Sequence, residues 1–140
     1  MDKTILIADD DQQILSLLAE VFRQQGYRVC EAENGQQALE IAKAELPSVA
    51  ILDISMPDKS GTDVCKAIKN EPATKHIPIV MLSGNNTLSE IQKAMCNGAC
   101  SYVTKPCGAR EITDAVEAAI CRSKQVGWGK LKRETTAFCK

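Results

Sequence analysis

Residues 4–11 read TILIADDD, a short apolar run that is followed at once by three acidic residues. Two later stretches have the same form: VAILD at 49–53 ends in an aspartate, and SYVTKP at 101–106 ends in a lysine and a proline. In an open parallel sheet, ligand-binding and catalytic groups lie beyond the carboxyl ends of the strands. The three stretches therefore predict one shared site that contains several carboxylates and one ammonium group.

Between these runs the apolar residues recur at helical spacing, so that five strand patterns alternate with five helix patterns. The first helix pattern, for example, has Ile14, Leu18 and Phe22 on one face and a stop at Gly26. Five βα units in series require parallel strands with right-handed crossovers and helices on both faces. The prediction is a three-layer α/β/α sandwich whose strand order the pattern alone leaves open, with strands at 5–8, 27–32, 49–52, 77–82 and 101–104.

Length and charge predict one folded domain and a basic end. The chain has 140 residues, of which 44% are hydrophobic and 25% charged, as in ordinary globular proteins. Helical periodicity fails after about Lys124, so we predict a domain over 1–123 and a tail or linker start over 124–140. The last segment has five basic residues and Glu134, net +4, which leaves −5 for residues 1–123. An acidic body argues against nucleic-acid binding, because phosphate contacts need clustered Lys and Arg.

The cysteines and the apolar runs bear on the compartment. The chain has seven cysteines and no CxxC pair, and Cys96 and Cys100 have no further zinc ligand at a suitable spacing. Free thiols in a reducing cytosol are therefore expected. No stretch resembles a signal peptide or reaches membrane-spanning length. We expect a soluble, cytoplasmic protein that does not bind a membrane.

The predicted site suits a hard divalent cation and a phosphoryl group. Crowded carboxylates from Asp9, Asp10 and Asp53 repel one another unless a cation neutralises them, and Mg²⁺ favours such oxygen ligands. Lys105 can pair with Asp53 and, after phosphoryl transfer, with a phosphoryl oxygen. Ser83, after the fourth strand, adds a hydroxyl group. A carboxylate in this setting can attack phosphorus and form an aspartyl phosphate.

Two other residues are assigned no part in this chemistry. Asp11 is predicted to cap the first helix, where a carboxylate binds free backbone amides. His76, the only histidine, precedes the fourth strand and is predicted to be a surface residue.

Four segments together carry a resemblance to a known family. ILIADDD, LDISMPDKSG, IPIVMLSG and SYVTKP occur in the order and at the spacing of the receiver domain of bacterial response regulators, which the chain resembles over residues 1 to about 123. Any one segment is weak, but the set is specific. The resemblance implies a flavodoxin-like fold with strand order 2-1-3-4-5.

The resemblance also implies roles for the acidic residues. Asp53 resembles the phosphoacceptor. Asp10 resembles the direct Mg²⁺ ligand, and Asp9 the acid that acts mainly through water. The backbone carbonyl of Ser55 resembles the third protein ligand.

A second group resembles the family's switch machinery. Ser83 resembles the hydroxyl that binds the phosphoryl group, and Tyr102 the aromatic that turns inward when Ser83 moves. Lys105 resembles the family's ammonium group, with a cis bond to Pro106 expected.

The predicted function is a phosphorylation switch. A histidine kinase or phosphotransfer protein would supply the phosphoryl group, and the face of the fourth helix, fifth strand and fifth helix would change its affinity for a partner. That partner would be a downstream effector protein or a missing C-terminal output domain. The chain is expected to be a signalling module and not a metabolic enzyme, since only its own phosphorylation and dephosphorylation are expected.

Three alternative functions fit the sequence less well. A Mg²⁺-dependent phosphatase or mutase with an aspartyl nucleophile would want a second acid two residues later, where this chain has Ser55. A flavodoxin-like mononucleotide binder would want a Thr, Ser and Gly loop after the first strand, where this chain has acids. A docking-only receiver has no support, because every residue of the acceptor site is present.

Overall fold

The computed structural model describes residues 3–84, 88–105 and 107–125, and within them five β-strands alternate with five α-helices. The elements are β1 (Lys3–Ala8), α1 (Gln12–Gln24), β2 (Tyr27–Ala32), α2 (Gly35–Glu45), β3 (Val49–Asp53), α3 (Gly61–Asn70), β4 (Ile79–Ser83), α4 (Leu88–Cys96), β5 (Ser101–Thr104) and α5 (Ala109–Gln125).

The strands form one parallel sheet in the order β2-β1-β3-β4-β5. This is the flavodoxin-like order, and the predicted fold class is confirmed. The order places β3 at the centre, with β1 and β4 as its neighbours. The carboxyl ends of these three strands therefore lie side by side at one edge of the sheet.

Alternate residues of each strand face opposite layers of helices, as the period of two in a strand requires. Ile5 and Ile7 of β1 belong to the core cluster beneath α1 and α5. Leu6 and Ala8 belong to the cluster beneath α2, α3 and α4. Both faces of the sheet are covered, which explains why the central strands are continuous apolar runs.

Two strand boundaries differ from the predicted ones by two residues: β1 begins at Lys3 and not at residue 5, and β4 spans Ile79–Ser83 and not 77–82. The amide of Ile77 donates to the carbonyl of Thr74 in the preceding turn, and Pro78 has no amide to donate. Regular strand pairing therefore begins at Ile79. At the other end of the strand, Ser83 is still paired, with Thr104.

Two helix ends follow the sequence signals. Gly26 has a φ of 94°, a left-handed conformation that glycine adopts without strain, after α1. Leu46 ends α2 in the same region at φ 46°, just before Pro47. The last helix continues to Gln125, and the predicted tail beyond it lies outside the described residues.

Three further observations concern the helices, the thiols and His76. No described helix is both long enough and apolar enough to cross a bilayer. The cysteines in the described part of the chain are all free thiols. His76 is exposed, as predicted.

Candidate functional site

The acidic groups of β1 and β3 meet at the carboxyl edge of the sheet. Carboxylate oxygens of Asp9, Asp10 and Asp53 all lie within 4.8 Å of one another. Asp9 is fully buried and Asp53 is only 3% exposed, whereas Asp10 is exposed. Since β1 and β3 are paired side by side, the two strand ends bring these carboxylates together although 43 or 44 positions separate them in the sequence.

The three consecutive acids after β1 have three different surroundings. Asp9 Oδ1 accepts a hydrogen bond from the Asp11 amide at 2.9 Å, which turns the chain sharply after the strand. After this turn, the side chain of Asp10 lies on the solvent-exposed side of the cluster. The Asp11 side chain accepts from the amides of Gln13 and Ile14 at the start of α1. The predicted capping role of Asp11 is confirmed.

Lys105 brings the positive charge to this cluster from the far strand β5. Its Nζ lies 3.2 Å from Asp53 Oδ1, which confirms the predicted pair. The same Nζ lies 3.0 Å from Asp9 Oδ2, a contact that sequence reasoning missed. The Lys105 amide donates to the carbonyl of Ser83 at 2.7 Å, so the backbone at this position is held by β4.

The pKa values of Asp53 and Lys105 are both raised in this site. Burial, followed by the neighbouring charge of Asp9, raises the pKa of Asp53 to about 6, although Lys105 and the Ser55 amide oppose the shift. For Lys105, burial acts to lower the pKa, but contacts with Asp9 and Asp53 outweigh it and the pKa is raised. The charge of Lys105 alone therefore does not fully neutralise the negative charge of the three carboxylates.

The donor set fits a hard divalent cation. Asp9 Oδ2 is buried and lies 3.0 Å from the ammonium group of Lys105. Three carboxylates face one ammonium group, so the local charge is negative and a cation is favoured there. Carboxylate oxygens are the ligands that Mg²⁺ and Ca²⁺ take in proteins. The described residues contain no other group of three or more potential His, Cys, Asp or Glu ligands.

The loop between β3 and α3 returns tightly to the site. The amide of Ser55 donates to Asp53 Oδ1 at 3.4 Å, and the amide of Gly61 donates to the Ile54 carbonyl at 2.8 Å. A Cβ on Gly61 would overlap the carbonyl oxygen of Asp53, so only glycine fits at this close approach. The side chain of Met56 is buried in the core beneath α2, α3 and α4.

The remaining predicted residues lie on β4 and β5. Ser83 ends β4 and is 4% exposed. Tyr102 lies on β5, half-buried, and packs against the core cluster beneath α2, α3 and α4. Their predicted switch roles stay predictions. Pro106, with its predicted cis bond, lies outside the described residues.

One polar residue near the site was missed by sequence reasoning. The carboxylate of Asp58, in the loop after β3, accepts hydrogen bonds from the amides of Gly35 and Gln36 at the start of α2. In the sequence, Asp58 has only the appearance of a turn residue after Met56-Pro57.

The fold and this cluster of carboxylates at the strand ends point to one class of protein, and comparison with known protein families identifies it. Residues 5–117 match the family model of the response regulator receiver domain, and the chain belongs to this family. Receiver domains of response regulators are phosphoacceptor switches in two-component and phosphorelay systems. The predicted class is confirmed, and the alternative classes are not favoured.

Individual relatives support the same class. The chain is 36% identical over 117 residues to sporulation initiation phosphotransferase F of Bacillus subtilis, covering 84% of this chain and 93% of that protein. Other curated relatives are longer, and the chain spans only 8%, 51% and 60% of the length of three of them.

Solved structures are similar over the same region. A CheY-like receiver domain protein from Methanospirillum hungatei JF-1 has a TM-score of 0.84 and 25% identity, covering 89% of this chain and 98% of that one. A response regulator protein from Burkholderia pseudomallei, solved with a phosphorylated aspartic acid, a calcium ion and citrate, has a TM-score of 0.77 and 25% identity. That match covers 88% of this chain and 71% of the other.

Proposed function

We propose that this receiver accepts a single phosphoryl group on Asp53 with Mg²⁺ bound, and that the donor is a phosphohistidine of a histidine kinase or phosphotransfer protein. The observation that carries the proposal is the convergence of three carboxylates and the Lys105 ammonium at the end of the central strand. Asp53 lies at its centre, on β3, with Lys105 in direct contact.

In the proposed reaction a carboxylate oxygen of Asp53 attacks the phosphorus of the donor. The new O–P bond forms as the N–P bond of phosphohistidine breaks, and the electron pair of that bond stays on the imidazole nitrogen. Lys105 neutralises charge on the transferred oxygens, as a positioned cation does in phosphoryl transfer. Burial of Asp53 and Asp9 strengthens these electrostatic interactions.

The metal ligands in this proposal are the carboxylates of Asp10 and Asp53 and the backbone carbonyl of Ser55, with Asp9 acting through water. When bound, Mg²⁺ supplies charge neutralisation and orients the phosphoryl oxygens. Support comes from the negative balance of the cluster, in which three carboxylates meet the single ammonium group of Lys105. The similar Burkholderia pseudomallei protein, solved with a phosphorylated aspartic acid and a calcium ion, is consistent with the same chemistry.

The proposed output is a change of surface. The Ser83 hydroxyl donates to a phosphoryl oxygen, Tyr102 follows, and the face of α4, β5 and α5 changes its affinity for a partner. Ser83 is suited to this step because β4 is paired with β3 on one side and with β5 on the other. The partner is a downstream effector protein or a C-terminal output domain. The protein thus signals in the cytoplasm, and its own dephosphorylation resets it.

The proposal assigns the receiver to residues 1–123 and a tail or linker start to 124–140. The matched region, 5–117, falls inside the first of these segments. Neither nucleic acid nor membrane is a proposed partner of this chain, since its folded part is acidic.

Intact-mass measurement after incubation with acetyl phosphate and Mg²⁺ tests the acceptor. The wild-type protein is expected to gain one phosphoryl group and Asp53→Asn none. Asp114→Asn, at an exposed position on α5, is the matched control and is expected to label like the wild type. Equal labelling of Asp53→Asn would refute the acceptor assignment, and undiminished labelling in EDTA would refute the metal requirement.

A further inference from the structure

The carboxylate of Asp58 joins the loop after β3 to the start of α2. Its Oδ1 accepts from the Gly35 amide at 2.8 Å and its Oδ2 from the Gln36 amide at 2.9 Å. Oδ1 also accepts from the amide of Lys59, the next residue. Asp58 therefore binds the first turn of α2 from a position 22 and 23 residues later in the chain.

This contact completes the amino-terminal cap of α2. The side chain of Asn34, the local cap, accepts from the Gln37 amide at 2.9 Å and, within the described residues, from no other amide of the first turn. The two amides that Asn34 leaves without a partner are those bound by Asp58, whose negative charge also suits the positive end of the helix dipole. Consistent with this, hydrogen bonds led by that from Gly35 lower the pKa of Asp58.

The same contact is the outer anchor of the loop that follows Asp53. Met56 anchors the loop to the core, and the hydrogen bond from Gly61 to Ile54 closes its base. Between Met56 and Gly61, Asp58 ties the loop to α2. Gly35 fits closely against this loop, since a Cβ there would lie 2.7 Å from the Cβ of Lys59 and 3.0 Å from a methyl group of Val64.

We propose that Asp58 is a positioning residue for the cation site: by holding the loop after β3 against the start of α2, it fixes Ser55, the proposed carbonyl ligand. This inference rests on the proposed function. Asp58 itself does not contact the cation or the phosphoryl group in the proposal. It acts by removing conformations that the loop would otherwise lose on metal binding.

The affinity for Mg²⁺, measured by calorimetric titration of the full chain, tests the inference. Asp58→Ala is expected to bind Mg²⁺ roughly three- to tenfold more weakly, the loss of an anchoring cap of ordinary strength. Asp58→Asn keeps one acceptor oxygen and is expected to fall between Asp58→Ala and the wild type. Asn34→Ala removes the other cap of α2 without touching the loop, and is expected to bind Mg²⁺ like the wild type.

Amide hydrogen exchange followed by NMR supplies a readout that does not depend on phosphorylation. In the metal-free protein, Asp58→Ala is expected to speed exchange at Ser55, whereas Asn34→Ala leaves it unchanged. Adding Mg²⁺ to the wild type is expected to slow exchange at Gly35 and Gln36, because the coupling through Asp58 is reciprocal. In Asp58→Ala this slowing should disappear.

The outcomes separate the two proposals. A wild-type protein that binds Mg²⁺ and accepts a phosphoryl group, with Asp58→Ala and Asp58→Asn unchanged in affinity and exchange, overturns the positioning role alone. A wild-type protein that does neither overturns the proposed function and the positioning role together. Equal weakening of Mg²⁺ binding in Asn34→Ala would assign the effect to α2 stability and would also overturn the inference.

Discussion

Lys105 lies beyond the last strand of the sheet, and its Nζ is 3.2 Å from Oδ1 of Asp53, a residue 52 positions earlier in the chain. The contact spans β4, which separates β3 from β5 in the sheet. It is therefore made by a long side chain that crosses the carboxyl edge of the sheet. The pKa of Asp53 depends directly on this contact, because Lys105 favours the ionised carboxylate.

Replacing Lys105 by methionine should raise the pKa of Asp53 above its value of about 6. The charge and the hydrogen bond of Lys105 both favour the ionised carboxylate, and burial and Asp9 would then act with less opposition. A carbon-13 NMR titration of the carboxyl groups in metal-free protein measures the change. Lys59→Met, on the loop after β3, is the control and should leave the titration of Asp53 unaltered. A lower pKa in Lys105→Met would contradict the assigned contact.

Replacing Asp53 by asparagine should stabilise the metal-free protein at pH 7. Since the folded pKa of about 6 lies above the usual 3.8, the folded state holds this proton more tightly than the unfolded chain. The stability from Asp53 is complete below pH 4 and is lost as the pH rises through 6. Asp53→Asn avoids the loss, so its free energy of unfolding should exceed that of the wild type by about 1–3 kcal/mol at pH 7.

Urea denaturation at pH 7 and pH 4 measures the advantage of Asp53→Asn, which should vanish at the lower pH. At pH 7, Mg²⁺ should reduce this difference in the free energy of unfolding, because its binding stabilises the wild type. The exposed Asp114→Asn should change stability by less than about 0.5 kcal/mol at either pH. A wild type that is the more stable protein at pH 7 without metal would count against the crowding of Asp53 by Asp9.

Replacing Gly61 by alanine should destabilise the fold and disturb the site at once. The added methyl group would overlap the backbone carbonyl of Asp53, which cannot move without shifting β3. We expect a loss of about 1–3 kcal/mol in the free energy of unfolding, the usual cost of overpacking. Thermal or urea denaturation measures it, with Gly108→Ala as control because nothing lies within 4 Å of a Cβ there. Equal stability of the two variants would show that the β3–α3 turn yields easily.

Much of the sheet could be predicted because its strands are buried on both faces. VAIL at 49–52 has no polar residue, and a strand between two helix layers requires none. Acids placed directly after such runs could be assigned to one edge of the sheet from the sequence alone. The predicted start of β4 was wrong because the apolar run in the sequence continues through Pro78, whereas the hydrogen bonding of a strand does not.

The contacts between loops could not be predicted from the sequence. The pattern of elements alone does not order the strands, so it could not show that Lys105 also contacts Asp9. The order came instead from the resemblance of four segments to a family. Asp58 poses the same difficulty, because its carboxylate accepts from amides at the start of α2, far away in the sequence, and local turn chemistry gives no sign of them.

The position of Lys105 after β5 has a consequence for the order in which the site is assembled during synthesis. Every carboxylate of the cluster has been synthesised once β3 is complete, but the ammonium group of Lys105 follows 52 residues after Asp53. Until β5 pairs with β4, the growing chain has the carboxylates of the site without the ammonium group of Lys105. The final strand thus completes the hydrogen-bonded sheet and brings in the ammonium group that offsets part of the negative charge of the site.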